Sequence, residues 1–178
     1  MKIELVHSFE ISRATYEKNI NHPELLRRCE GRLPYLRSRT LVEGREGPGP
    51  DQYFWRFRCE ADYALPEAAK RVIGDRLGWF EDTVFDRREH ACRFKIVSDV
   101  LQKRYRCQGE QLFVERSDGG LDRLMTVDLT VDILLVGRTV ERHIAEKLRE
   151  TYSVEHEIQR GFFADLARGV PSSTEGRP

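Results

Sequence analysis

No stretch of this 178-residue chain approaches the roughly twenty consecutive apolar residues that a membrane-spanning helix requires, so integral membrane association is not expected. An excess of charge is missing too. Lys plus Arg total 30 and Asp plus Glu total 30, which leaves no global field to draw in nucleic acid, and no nucleic-acid partner is expected. The opening Met1-Lys2-Ile3-Glu4 lacks the charged region and apolar run of a secretory leader, so a cytoplasmic location is expected. Cysteine is scarce and scattered. Cys29, Cys59, Cys92 and Cys107 form no C-x-x-C pair, which removes the common zinc frameworks, and no metal is expected. They read as reduced, buried thiols, with Cys92 and Cys107 candidates for neighbouring strands of a hairpin turning near Ser98 to Lys103. A Gly-rich phosphate loop, a nucleophile elbow and an H-E-x-x-H motif are all absent. No cofactor is expected, and the commonest reasons to propose an enzyme fall away without excluding one.

What is present fits a globular protein: 39% hydrophobic and 34% charged residues, enough for one domain over residues 1–168 with a real core. The polar, Pro- and Ser-containing tail 169–178 reads as disordered. The run Arg27, Arg28, Arg32, Arg37, Arg39 and Arg45, diluted by Glu30 and Glu43, reads as a solvated face.

Ile3, Leu5, His7, Phe9 and Ile11 alternate with Glu4, Ser8 and Glu10, with Val6 the only apolar exception, the pattern of a half-buried strand. Ser12 is placed to cap a short helix over Arg13 to Asn19, and His22-Pro23-Glu24 opens a second that Gly31 and Pro34 close. Strands are predicted at about Leu36 to Glu43, Tyr53 to Ala61, Trp79 to Arg87, Ala91 to Val97, Tyr105 to Glu115 and Leu121 to Val136. Gly44 to Pro50 reads as a loop, Leu65 to Leu77 as a short helix or ordered loop, and Ser117-Asp118-Gly119-Gly120 as a hairpin turn. Gly137 should end the last strand and Thr139 cap a helix running to Arg168. At about 100° per residue, one face of that helix carries Val140, Ile144, Leu148, Tyr152, Ile158, Phe162 and Leu166, with Glu155 among them. Strands grouped together with helices at the ends indicate an α+β fold: an antiparallel sheet of about seven strands, covered by the long helix, with two short helices after the first strand. A gap between a curved sheet and that helix is the natural place for an apolar ligand.

Three stretches carry a resemblance to a known superfamily. They are Ile3-Glu4-Leu5-Val6-His7-Ser8-Phe9, Asn21-His22-Pro23-Glu24-Leu25-Leu26, and Val136-Gly137-Arg138-Thr139-Val140-Glu141-Arg142-His143-Ile144-Ala145. In this order they resemble the helix-grip fold of the START and birch-pollen-allergen (SRPBCC) superfamily. Within it the chain looks most like a bacterial family of unknown function in which a strand–Gly-x-x-Val-Glu-x-x-Ile-Ala helix start recurs. The usual small-Pro-x-x-Val-Trp signature after the first strand is replaced here by Ser12-Arg13-Ala14-Thr15-Tyr16. The resemblance implies a curved sheet wrapped around the C-terminal helix and binding of lipids, sterols, polyketides or other apolar molecules beneath it. Some members are cyclases or dehydratases, and others bind proteins.

Glu155 is the sharpest candidate site residue, because a carboxylate on an apolar face must be paired, hydrogen-bonded or protonated. It is either a cavity acid with a raised pKa, or a residue turned outward or toward an arginine by a bend near Thr151-Tyr152-Ser153-Val154. His7, on the apolar phase of the first strand, is either a hydrogen-bonded core residue or a partner of Glu155. Counting about 24 Å along the helix from Thr139 and about 3.3 Å per strand residue back from Leu135 puts Glu155 near Val127 to Leu129, beside the first strand. The same arithmetic leaves Arg123 too far away to reach Glu155. Trp79 and Glu81 line the interior if their phase of the strand points inward; a one-residue slip points Phe80 and Val84 inward instead. Glu141 reads as a glutamate favoured by the helix dipole. The candidate ligand-binding set is His7, Trp55, Phe57, Trp79, Glu81, Met125, Val127, Leu129, Leu148, Tyr152 and Glu155. Three functions are compatible with it: binding of a hydrophobic small molecule or lipid; a cyclase or dehydratase with Glu155 and His7 as acid and base; and a ligand-free protein-interaction module.

Overall fold

The computed structural model describes residues 1–61, 77–100, 104–134 and 137–169. Strand β1 (Lys2–Phe9) is followed by helices α1 (Arg13–Asn19) and α2 (Pro23–Cys29). Strands β2 (Leu36–Glu46), β3 (Gln52–Ala61), β4 (Gly78–Asp86), β5 (Ala91–Ser98), β6 (Tyr105–Glu115) and β7 (Leu121–Val131) lead to helix α3 (Gly137–Ala167). The strands form one antiparallel sheet in the order β1-β7-β6-β5-β4-β3-β2, so β2 to β7 make a meander and β1 closes onto its last strand. This is the helix-grip α+β architecture.

Local chemistry accounts for the element boundaries. The Ser12 hydroxyl accepts from the Thr15 amide at 3.2 Å and starts α1. The His22 ring nitrogen Nδ1 accepts from the Glu24 amide at 3.2 Å, and Pro23 occupies the first turn of α2. Gly31 follows in the left-handed region at φ 64°. Strand β2 runs three residues past its predicted end because Gly44, Arg45 and Glu46 keep pairing with Trp55, Phe54 and Tyr53. The predicted segment Leu65 to Leu77 lies, apart from Leu77, outside the described residues, as does the tail from Val170.

The junction of β7 and α3 differs from expectation. The strand stops at Val131 instead of Val136, and the helix already includes Gly137 instead of starting at a Thr139 cap. The ladder to β1 ends with the Leu129 amide donating to the Met1 carbonyl at 2.8 Å, and two residues on the Val131 amide donates instead to the Glu141 carboxylate at 2.8 Å. Gly137 is needed because a Cβ there would lie 2.3 Å from the Val131 carbonyl oxygen.

Aromatic residues from non-neighbouring strands reveal how far the sheet curls. Phe9 of β1, Trp55 and Phe57 of β3, Phe85 of β4 and Phe113 of β6 share one buried cluster with Ile158, Phe162 and Phe163 of α3. Strands β1 and β3 are five steps apart in the sheet, about 24 Å if it were flat. Meeting in one cluster requires the sheet to wrap around the helix. A second cluster packs Val140, Ile144 and Ala145 of α3 on Ile3, Phe94, Met125, Val127, Leu129 and Val131. Leu166 departs from the predicted apolar face: it is 40% exposed, and Phe163 takes the inward position on the last turns. Cys92 and Cys107 do occupy neighbouring strands, but Cys92 faces Gln111 and Cys107 faces Ile96. All four cysteines are buried free thiols, and burial pushes the Cys29, Cys59 and Cys107 thiols up to about 12.

Candidate functional site

Between the two clusters the middle of α3 stands off from the sheet and leaves a partly open cavity of about 100 Å³. One water needs roughly 10–15 Å³ of such space, so the cavity suits a molecule of several heavy atoms. Its walls are mainly apolar: Ile144 and Leu148 from α3, Val127 from β7, and Trp79, Phe94 and Ile96 from β4 and β5. The α2–β2 loop closes one side through Leu33, Tyr35 and Leu36. Tyr35 sits there at φ 65°, a conformation that costs a non-glycine residue on the order of 1–2 kcal/mol. Three contacts to α3 hold the loop: the Tyr35 hydroxyl donates to Glu150 at 2.5 Å, Lys147 lies 3.8 Å from the Tyr35 ring centre, and the Thr151 hydroxyl donates to the Pro34 carbonyl at 2.9 Å.

Charged groups form the polar end of this cavity. Arg39 of β2 donates to Glu81 of β4 at 2.9 Å and lies 3.9 Å from Glu155 of α3. Its guanidinium stacks 3.9 Å from the centre of the Phe57 ring. The other Glu155 oxygen lies 3.8 Å from Nη1 of Arg123, so Glu155 stands between two guanidiniums. Burial works against a charged Arg39, but Glu81 and Glu155 outweigh it and keep the group cationic. Tyr152, one helical turn from Glu155, is held neutral, first by burial and then by the negative charge of Glu81 and Glu155.

Behind Glu155, Arg123 is the hub of a buried network. It is 2% exposed. Its Nη1 donates to the Tyr16 hydroxyl at 3.1 Å and to Gln159 at 3.0 Å, and its Nη2 donates to His7 Nδ1 at 2.8 Å. Burial, followed by the positive charges of Arg123 and His156, lowers the His7 pKa from 6.5 to about 4. The ring is therefore neutral at pH 7 and accepts the Arg123 proton. His156 stacks on His7 with 4.6 Å between ring centres, and its Nε2 donates to the Ser8 carbonyl at 2.9 Å. The unfolded chain binds more protons on His7 than the folded one between about pH 4 and 6.5, so stability is complete above that window and falls as acid is added. The melting temperature is expected to be about 5 °C lower at pH 5 than at pH 7.5. His7→Gln, whose amide oxygen can accept from Arg123, should flatten that difference; an unchanged pH dependence would contradict the assignment.

Of the eleven candidate residues, Trp79, Glu81, Val127, Leu148, Tyr152 and Glu155 line the cavity. The phase of β4 is thus the one that turns Trp79 and Glu81 inward. On the opposite face Phe80 is covered by the Arg56 and Arg58 guanidiniums, 5.4 and 4.9 Å from its centre. Trp55, Phe57, Met125 and Leu129 are buried in the two clusters, and His7 is buried behind Arg123. His7 and Glu155 are joined through Arg123 instead of pairing directly. The count that placed Arg123 out of reach began from Leu135. Starting from Val131, where β7 ends, the same 24 Å reaches back about seven residues, to Leu124 and Arg123. Glu155 faces arginines, as one of its two expected settings had it, on a helix that runs unbroken from Gly137 to Ala167. Arg39 departs from the solvated face expected of its arginine-rich stretch. Opposite Cys59 in the register, it shares the inward phase, a signal visible only once β2 is aligned on β3. Tyr16 and Gln159 had a weaker signal: Gln159 follows Glu155 by four residues on the same helix face.

A curled antiparallel sheet gripping a long C-terminal helix, with a cavity between them, is the helix-grip fold. The chain belongs to DUF2505, a family of proteins of unknown function whose model matches residues 8–162. Among solved structures, TTHA0849 from Thermus thermophilus is 17% identical with a TM-score of 0.62, over 89% of this chain and 96% of that one. The Zhui aromatase/cyclase from Streptomyces sp. R1128 is 12% identical with a TM-score of 0.57, over 98% of both chains. A START superfamily protein from Mycobacterium smegmatis is 11% identical, also with a TM-score of 0.57, over 93% of this chain and 98% of that one. At these identities the likeness is one of fold. No curated protein matches the chain.

Proposed function

We propose that this protein binds a hydrophobic small molecule or lipid in the cavity between the sheet and α3. The observation that carries the reading is a mainly apolar chamber, too large for a few waters, in a fold that otherwise packs two dense clusters on either side of it. Burial of an apolar ligand would contribute about 25 cal/mol per Å² removed from water, and the charged end would set its orientation. Zhui, which shares the fold, is an aromatase/cyclase. Acid–base chemistry by Glu155 and His7 is disfavoured here because His7 lies behind Arg123 and outside the cavity wall. A cavity left open by its side chains also weighs against a ligand-free interaction module. Native mass spectrometry of protein purified from its own host is expected to show an apolar mass that leaves on denaturation. An empty protein that also takes up no lipid from vesicles would overturn the reading.

A further inference from the structure

The polar end of the cavity narrows the chemistry of its ligand, an inference that rests on the binding function proposed above. Two carboxylates, Glu81 and Glu155, meet two guanidiniums, Arg39 and Arg123, so the cluster is balanced without any added charge. Arg39 is taken up by Glu81, Glu155 and the Phe57 face; Arg123, which does not line the cavity, gives its two Nη groups to Tyr16, Gln159 and His7 and keeps only a buried Nε unpartnered. The cation at the rim, Lys147, is engaged with the Tyr35 ring. Lys147 lies eight residues, about 12 Å, along α3 from Glu155, so among the described residues that line the cavity the cation at this end, Arg39, is already paired and does not receive an anionic ligand. A carboxylate brought here would face Glu81 and Glu155 in a poorly hydrated space.

Two groups at this end do have hydrogen-bonding capacity to spare. Glu155 is 13% exposed and lines the cavity. Its guanidinium neighbours stand 3.8 and 3.9 Å away, beyond hydrogen-bond distance. Tyr152 lines the same wall three residues earlier on α3. Among the described residues neither side chain has a hydrogen-bond partner. A carboxylate can only accept, so the group that satisfies the two together must donate to Glu155; a hydroxyl does this while accepting from the Tyr152 phenol. We infer that the cavity selects an uncharged alcohol or phenol on an apolar body, its hydroxyl between Tyr152 and Glu155, and that it rejects the matching carboxylic acid as its anion.

Calorimetric titration of the full chain at pH 7.5 with 2-naphthol, 2-naphthoate and naphthalene tests this on one ring system. A hydrogen bond to a charged acceptor predicts that 2-naphthol binds about ten- to a hundredfold tighter than either of the others. Glu155→Gln should reduce the preference for naphthol over naphthoate at least about tenfold, because it weakens the acceptor and leaves Arg39 less fully paired. Equal affinities for the three probes, or tighter naphthoate, would overturn the ligand class while leaving apolar binding intact. Binding of none of them, together with an empty native mass spectrum, would overturn both. An unchanged preference in Glu155→Gln would remove Glu155 from the site, and if that variant does not fold the three wild-type affinities still decide.

Discussion

Replacing Arg123 by leucine is expected to destabilise the protein by about 3–5 kcal/mol, the cost of removing one member of a buried charged network. The guanidinium is fully enclosed and serves Tyr16, Gln159, His7 and Glu155 from three different elements, α1, α3 and β1. Leucine fills much of the volume but donates nothing. The Tyr16 hydroxyl, the Gln159 carbonyl and His7 Nδ1 would each lose a donor inside the core, and Glu155 would lose one of its two cations. For a chain of this size each kcal/mol moves the midpoint by about 2–4 °C, so a thermal melt followed by circular dichroism should fall by about 6–20 °C. Arg123→Lys should recover only part of this loss, since one ammonium nitrogen replaces the two guanidinium nitrogens that reach Tyr16 and Gln159 on one side and His7 on the other. A drop of less than about 2 °C in Arg123→Leu would mean that the network does not organise the core.

The second large effect concerns binding and should leave stability almost untouched. Leu148 lies on the cavity wall at the middle of α3, with free space in front of it. Leu148→Trp directs an indole into that space and is expected to weaken uptake of an apolar ligand at least about tenfold. The melting temperature should change by no more than about 3 °C, because the added volume occupies a void and not a packed core. The comparison variant is Met125→Leu, a near volume-conserving change in the second cluster away from the cavity wall. It should leave uptake unchanged. Equal uptake by wild type and Leu148→Trp would place the ligand elsewhere.

The contrast between these two sites shows what could be read from the chain. Alternation from Ile3 to Phe9, the Ser12 cap and Pro23 after His22 are local signals, and the structure keeps each boundary within about a residue or two. The α+β class followed from their order. Glu155 stood out because burial of a carboxylate demands a partner, and partners are present. Their identity was less accessible. Arg123 and Glu155 are brought together by where β7 stops, at the point where β1 runs out and the Val131 amide turns to Glu141, tertiary contacts with no sequence period. Arg39 looked like one more surface arginine until the β2–β3 register set it opposite Cys59. For Glu81 both phases of β4 carry apolar residues, so alternation alone could not choose. The outer face is settled by Arg56 and Arg58 covering Phe80, a pairing across strands.

A ligand space between α3 and the sheet is tested most directly by methyl NMR of the full chain titrated with 2-naphthol. Shifts are predicted for Ile96, Val127, Ile144 and Leu148, which surround the cavity, and not for Val6, Leu112 and Val114, which are exposed. Shifts confined to those three exposed residues, with the cavity methyls unmoved at saturation, would contradict it.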